Sequence, residues 1–191
     1  MFSKFLKSFS LIELLVAISL LGLILLTAGS FDFISRRFFQ SSQRASEVLN
    51  EASFITEHMS KNIMQAKGYI GDKGYAVSSN SLSLRVNWAL LNSSSSGGSN
   101  SDSWVKYQLD SNTNTLYFCS GLSSFAFACD SSVAGAEILS QKVTSLAFTD
   151  ENGSIGIDIT LRYDPSSDVD PKDNPEVSLS TSAALLQHSF N

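Results

Sequence analysis

Three groups of residues in this 191-residue sequence have the types and spacing that chemistry would use. Glu13 is the only ionisable side chain in the run from Phe9 to Ala28, FSLIELLVAISLLGLILLTA. A carboxylate in a bilayer costs on the order of 2.5–3.5 kcal/mol even on lenient insertion scales, so one placed there needs a partner of opposite charge. Cys119 and Cys129, the only cysteines, stand ten positions apart. Once exported to an oxidising compartment, an even pair with a single possible connectivity reads as a disulfide. The competing readings are zinc and a thiol nucleophile, but there is no CxxC pair, His58 and His188 are distant, and no base lies beside either cysteine. Asp164, Asp168, Asp170, Asp173 and Glu176 crowd the stretch DPSSDVDPKDNPE. Oxygen ligands at short spacing are what a hard cation such as Ca²⁺ requires, which makes the aspartates a candidate calcium site. The stretch lacks the Gly of an EF-hand turn, and a charge run with three prolines is more often a solvated surface loop.

No enzyme is expected. The sequence has no HExxH, GxSxG, P-loop or dinucleotide fingerprint. Gly153-Ser154-Ile155-Gly156 lacks the spacing of a nucleophile elbow and falls in a predicted turn. His58, next to Glu57 on a predicted helix, is expected to face solvent. With 13 Lys and Arg against 18 Asp and Glu the formal charge is −5, and no basic cluster lies in the body of the chain. Nucleic-acid affinity comes mostly from Lys and Arg exchanged against counterions, so no nucleic-acid partner is expected.

The elements that position these residues begin with the apolar run. Twenty residues at 1.5 Å each span roughly the 30 Å hydrocarbon core of a bilayer. Lys4 and Lys7 precede it with no acidic residue, so the positive-inside bias keeps the first eight residues in the cytoplasm and exports the rest. A cleavable secretory signal would have a shorter apolar region and a small-x-small site, which Leu26-Thr27-Ala28 fits poorly. A plain signal anchor tolerates the length but gives no reason for Glu13.

Beyond the span, Ala45, Val48, Leu49, Ala52, Ile55, Met59 and Ile63 recur at spacings of three and four. This is one face of an amphipathic helix, and with no proline before Pro165 the helix is predicted to continue to Lys67 and end at Gly68 and Gly71. Gly22, Gly29 and the aromatics Phe31, Phe33, Phe38 and Phe39 suggest a bend or an interfacial belt. Arg36, Arg37 and Arg44 could meet lipid headgroups, neighbouring subunits or only solvent.

Serine supplies 37 residues and weakens helix formation downstream, so a β-rich body is expected. Ser81 to Ala89 alternates Leu82, Leu84, Val86 and Trp88 with Ser83, Arg85 and Asn87, a strand with one buried face. Ser93 to Ser103 is low-complexity and reads as a loop. Trp104–Asp110 with Thr115–Cys119, and Val143–Thr149 with Ile155–Tyr163, flank polar turns and predict two hairpins. Val177–Ser182 is a last strand, and Leu185, Leu186 and Phe190 are expected to cover a sheet edge.

The motif Lys7-Ser8-Phe9-Ser10-Leu11-Ile12-Glu13-Leu14-Leu15-Val16-Ala17 resembles the class III signal of type IV pilins and type II secretion pseudopilins. That resemblance implies cleavage by a prepilin peptidase between Ser8 and Phe9, N-methylation of Phe9, and an assembly role for Glu13 as fifth mature residue. Ser8 stands where the family usually has Gly. The physical reading of Glu13 agrees, because the new ammonium of an adjacent subunit could neutralise it. Strand, turn and strand over Leu139–Thr149 and Ile157–Arg162 loosely resemble J-type pseudopilins and W-type minor pilins. Some pseudopilins bind calcium in loops such as the aspartate-rich one.

The expected architecture is α+β: a long N-terminal helix, membrane-spanning in its first half, packed on an antiparallel sheet. The resemblance implies a leader over 1–8, a membrane or filament-core helix over 9–29, its amphipathic continuation over 30–67 and a pilin-like periplasmic domain over 68–191. The expected partners are prepilin peptidase, other pilins or pseudopilins, an inner-membrane assembly platform and the lipid bilayer. The competing reading is a signal-anchored periplasmic domain that binds a ligand or calcium.

Overall fold

A computed structural model of the chain describes residues 10–67, 73–86, 103–151, 153–167 and 169–185. The chain divides into two compact units, one ending at Ser42 and one beginning at Gln43. A single helix, α1 (Leu11–Gln65), contributes to both and runs without interruption through Gly22 and Gly29. Its start is set at Ser10, whose carbonyl accepts the N–H groups of Glu13 and Leu14 at 3.0 and 3.2 Å. At its other end Ala66 N–H bonds to the carbonyl of Ile63, and Lys67 N–H bonds to the carbonyl of Arg85. The helix therefore hands the chain to the sheet within two residues. Gly68 and Gly71 lie outside the described residues.

In the second unit the helix presents Val48, Ala52, Ile55, Met59 and Ile63, all buried, to two antiparallel sheets. Five of the seven residues of the predicted apolar face are thus core. Leu49 is not among them: it is 44% exposed, because it lies about 100° around the helix from buried Val48, outside the covered stripe. The first sheet is a meander of β1 (Tyr75–Ser78), β2 (Ser81–Val86), β3 (Ser103–Asp110), β4 (Thr115–Leu122) and β5 (Glu137–Ser140). The second is a meander of β6 (Val143–Asp150), β7 (Ser154–Arg162) and β8 (Glu176–Ala184). The architecture is α+β, as the sequence led us to expect.

Alternation explains which side of each strand meets the helix. In β7 Ile155, Ile157, Ile159 and Leu161 are buried, while Asp158 is exposed and Thr160 and Arg162 are partly so. Each buried side chain of this size contributes roughly 1.5–3 kcal/mol relative to exposure. Both predicted hairpins are present, with pairings such as Leu109 to Leu116 and Asp150 to Ile155. Asn114 takes a positive φ of 53° at the end of the first turn, a conformation that Asn tolerates better than most residues. β8 extends past the expected strand to Ala184, and Leu185 is buried with its N–H on the carbonyl of Gly153. Leu186 and Phe190 lie outside the described residues, as do Trp88 and 93–102 of the serine-rich stretch.

One expectation is corrected. Ser81–Ala89 was expected to bury a single face, but Ser83 and Arg85 are buried along with Leu82 and Leu84. The connection from β4 to β5 folds back over the sheet's far side, so both faces are covered. Ser83 Oγ donates to the carbonyl of Phe125, Lys106 Nζ donates to that of Phe127 at 2.8 Å, and Trp104 packs against the Phe125 ring.

Candidate functional site

From Leu11 to Leu26 the apolar side chains of α1 point in every direction, and each large one is at least half exposed. A helix apolar all round belongs inside a bilayer or among other helices, since water on all sides would cost several kcal/mol per turn. Among the described residues it is the one helix long and apolar enough to cross a membrane.

Glu13 sits in the first turn of this helix, exposed, and one of its carboxylate oxygens accepts the Ser10 N–H at 3.1 Å. Ser10-Leu11-Ile12-Glu13 is thus half of a capping box, in which the third helical residue reaches back to satisfy the cap's own amide. The negative charge also meets the positive end of the helix dipole. The S-x-x-E spacing was readable in the sequence, and the intramembrane charge overshadowed it. Ser8 and Phe9, the expected cleavage and methylation residues, lie outside the described residues.

Further along α1 the three arginines have separate surroundings. Arg36 pairs with Asp32 one turn earlier at 2.9 Å. Arg37 lies over the Phe33 ring, 5.2 Å from its centroid. Arg44, in the second unit, donates to the carbonyl of Asp173 at 2.6 Å and stacks on Tyr163. Lys142 shares that ring and bonds to Glu47 and Glu51 of the helix at 2.7 and 3.2 Å. Burial alone would lower the Lys142 ammonium, but its two carboxylate partners outweigh burial and raise it above the usual lysine value.

Cys119 and Cys129 form the expected disulfide, with Cα atoms 5.8 Å apart and both residues fully buried. It closes the loop that covers the sheet's far side. Cys129 N–H donates to Gln108 Oε1, and Trp104, Tyr117 and Leu122 complete a small second core around the sulfurs. Lys106 reaches under the loop, and burial lowers its ammonium below the usual value.

The aspartate-rich loop is organised by an amide. Asn174, 5% exposed, accepts the Asp164 N–H and donates to the carbonyls of Asp164 and Ser167, all within 3.0 Å. The Asp164 carboxylate takes the N–H and hydroxyl of Ser166, and that of Asp170 takes the Lys172 N–H. The backbone carbonyl of Asp173 faces Arg44, as above. Among the described residues no three Asp, Glu, His or Cys side chains converge as a metal centre would require. Asp168 lies outside them.

Sequence reasoning missed the contact around His58. It is half-buried rather than facing solvent: its ring packs on Phe118 and Phe54, and its Nδ1 shares a hydrogen bond with the Tyr107 hydroxyl. The i, i+4 partner Asn62 was the available signal.

The chain matches no protein-family model, no curated protein and no solved structure.

Proposed function

We propose that the chain is a minor pilin or pseudopilin, inserted in the inner membrane with its β-rich domain on the periplasmic side. Prepilin peptidase would process it, and its helix would then pass into a type IV pilus or type II secretion pseudopilus, with a priming or tip role. Leader, filament-core helix and exported domain would be divided as the resemblance implies.

The observation that carries the reading is the all-round apolar surface of Leu11–Leu26, headed by the Ser10–Glu13 cap within the class III motif. Such a surface is stable in lipid, and equally stable against the same surface of other subunits, so it can leave one for the other at small net cost. Glu13 supplies register. In a single subunit it is held by its own helix start; beside a neighbour's N-terminal ammonium it would exchange a neutral donor for a charged one, which is roughly twice as strong. The chemistry is association, with no bond made or broken by the chain itself.

Intact-mass and N-terminal peptide analysis of the protein from its own membranes, with and without prepilin peptidase, tests the proposal. A chain beginning at N-methyl-Phe9, only when the peptidase is present, is the expected result. A chain beginning at Met1 in both would mark a plain signal anchor carrying a periplasmic domain, and one beginning near Gly29 a secreted domain. Either outcome would overturn the pilin reading.

A further inference from the structure

We propose that Phe33 and Arg37 form a docking point for the phosphate of a phospholipid headgroup where the helix leaves the membrane, an inference that rests on the membrane insertion argued above. The three arginines of this region are not equivalent. Arg36 is neutralised by Asp32, and Arg44 is engaged by the Asp173 carbonyl and the Tyr163 ring. Arg37 has no acidic partner at ion-pair distance among the described residues. Its guanidinium lies over the Phe33 ring. That contact uses the flat face of the guanidinium and leaves the N–H edge, a planar fork that matches two phosphate oxygens, directed elsewhere.

The position along the helix fits the ligand. Leu11 to Ser30 is twenty residues, about 30 Å at 1.5 Å per residue, the thickness of the hydrocarbon core. Arg37 follows Ser30 by seven residues, about 10 Å further. The polar regions add only about 5–8 Å on each side of the hydrocarbon, so the Arg37 backbone lies just beyond them. Its guanidinium, held over the ring of Phe33 one turn back, returns to about 5 Å past Ser30, inside the headgroup layer. Phe31, Phe33, Phe38 and Phe39, each between 61% and 74% exposed, bracket it as an aromatic belt. A cation held on a ring at that depth, flanked by apolar side chains, is matched in charge and geometry to a phosphodiester. Phe33 also fixes the arginine before the ligand arrives, which reduces the side-chain entropy lost on binding.

The experiment uses the full processed chain, with its arginines labelled at the guanidinium carbon, in phosphate-free buffer and bilayers of phosphatidylethanolamine and phosphatidylglycerol. Carbon–phosphorus dipolar dephasing in solid-state NMR reads which guanidinium lies against a lipid phosphate. The expected result is one strongly dephased resonance that disappears in Arg37→Gln and persists in Arg36→Gln and Arg44→Gln. Phe33→Leu should at least halve the dephasing while leaving the resonance present. Hydrogen exchange across Leu11–Leu26 is measured on the same samples. A protected helix with no phosphorus contact at Arg37 would overturn this inference alone, and would point to pairing with another protein chain. An unprotected helix would overturn the membrane reading beneath it as well.

Discussion

The Tyr107 hydroxyl of β3 and Nδ1 of His58 on α1 lie 2.9 Å apart, and Asn62 Nδ2 donates to the same hydroxyl at 2.6 Å. With Asn62 giving its proton to the phenol oxygen, the phenol's own proton can go to an unprotonated Nδ1 or, at 3.3 Å, to the carbonyl of His58. Helix and sheet are joined here through an imidazole whose charged form burial disfavours.

The consequence is a pH-dependent stability. Burial lowers the His58 value below 6.5; Glu137 opposes this and Lys61 adds to it. Burial also raises the Tyr107 phenol, so it stays a donor throughout the working range. A base depressed in the folded state contributes in full above its unfolded value of about 6.5, and the contribution falls as pH drops from there to the folded value. Chemical denaturation of the Gln43–Asn191 unit within the full chain should show stability falling from pH 7 to pH 5. His58→Gln should flatten that slope. Asp110 and Asp130, lowered by bonds to Thr113 and Ser132, add their own loss at lower pH, around and below their ordinary 3.8.

Removing the disulfide should unfasten the far side of the five-stranded sheet. In the chain-entropy model a loop of this size is worth about 3 kcal/mol. The Cys119→Ser, Cys129→Ser double variant should therefore melt several degrees lower. Limited proteolysis should cut it within 123–136, where the oxidised protein resists; equal resistance in both would mean that Lys106 and Gln108 hold the loop without the sulfurs.

Asn174 is expected to matter more to the aspartate-rich loop than any cation does. Asn174→Ala deletes three partly buried hydrogen bonds, each worth about 0.5–1.5 kcal/mol net. Thermal melts with EDTA and with millimolar calcium should coincide for the unsubstituted chain and lie well above the variant. A calcium-dependent rise lost in Asp168→Asn and Asp170→Asn would instead establish the metal reading.

Glu13→Ala should separate local from collective roles. Loss of a capping interaction costs a helix about 0.5–2 kcal/mol, and a helix of this length in lipid withstands that. Circular dichroism in detergent should change little, while filament yield, measured by shearing and electron microscopy, should drop to background. Normal filaments from the variant would remove Glu13 from the assembly mechanism.

The long helix, the two hairpins and the disulfide were legible because each rests on a local signal: a 3.6-residue period, polar turns such as Asp110 to Asn114, and an even cysteine count. β1 and β5 were not legible. Each has four residues, YAVS and EILS, too few to show a period, and each is fixed by pairing with a stronger neighbour. The burial of Ser83, Arg85 and Lys106 was invisible for a related reason. Nothing in the residues of β2 and β3 announces that a serine-rich connection will fold over them; the polar atoms of Ser83 and Lys106 bond to that connection's carbonyls and Arg85 lies over the Trp104 ring, partners that only the tertiary fold supplies. Of the candidate site, Glu13 was identified from its charge, yet its capping partner Ser10 was passed over in favour of an intermolecular one.

In both sheets every strand pairs with its immediate neighbour in the chain. Such an order has no crossovers, so no strand must wait for a distant one before it can pair. A polypeptide delivered N-terminus first can lay down β1 through β5, then β6 through β8, against a helix already formed. Sequential pairing keeps loop-closure entropy small at each step and limits the time that any apolar strand spends uncovered. The meander lets each new strand settle on the helix and on the strand just before it.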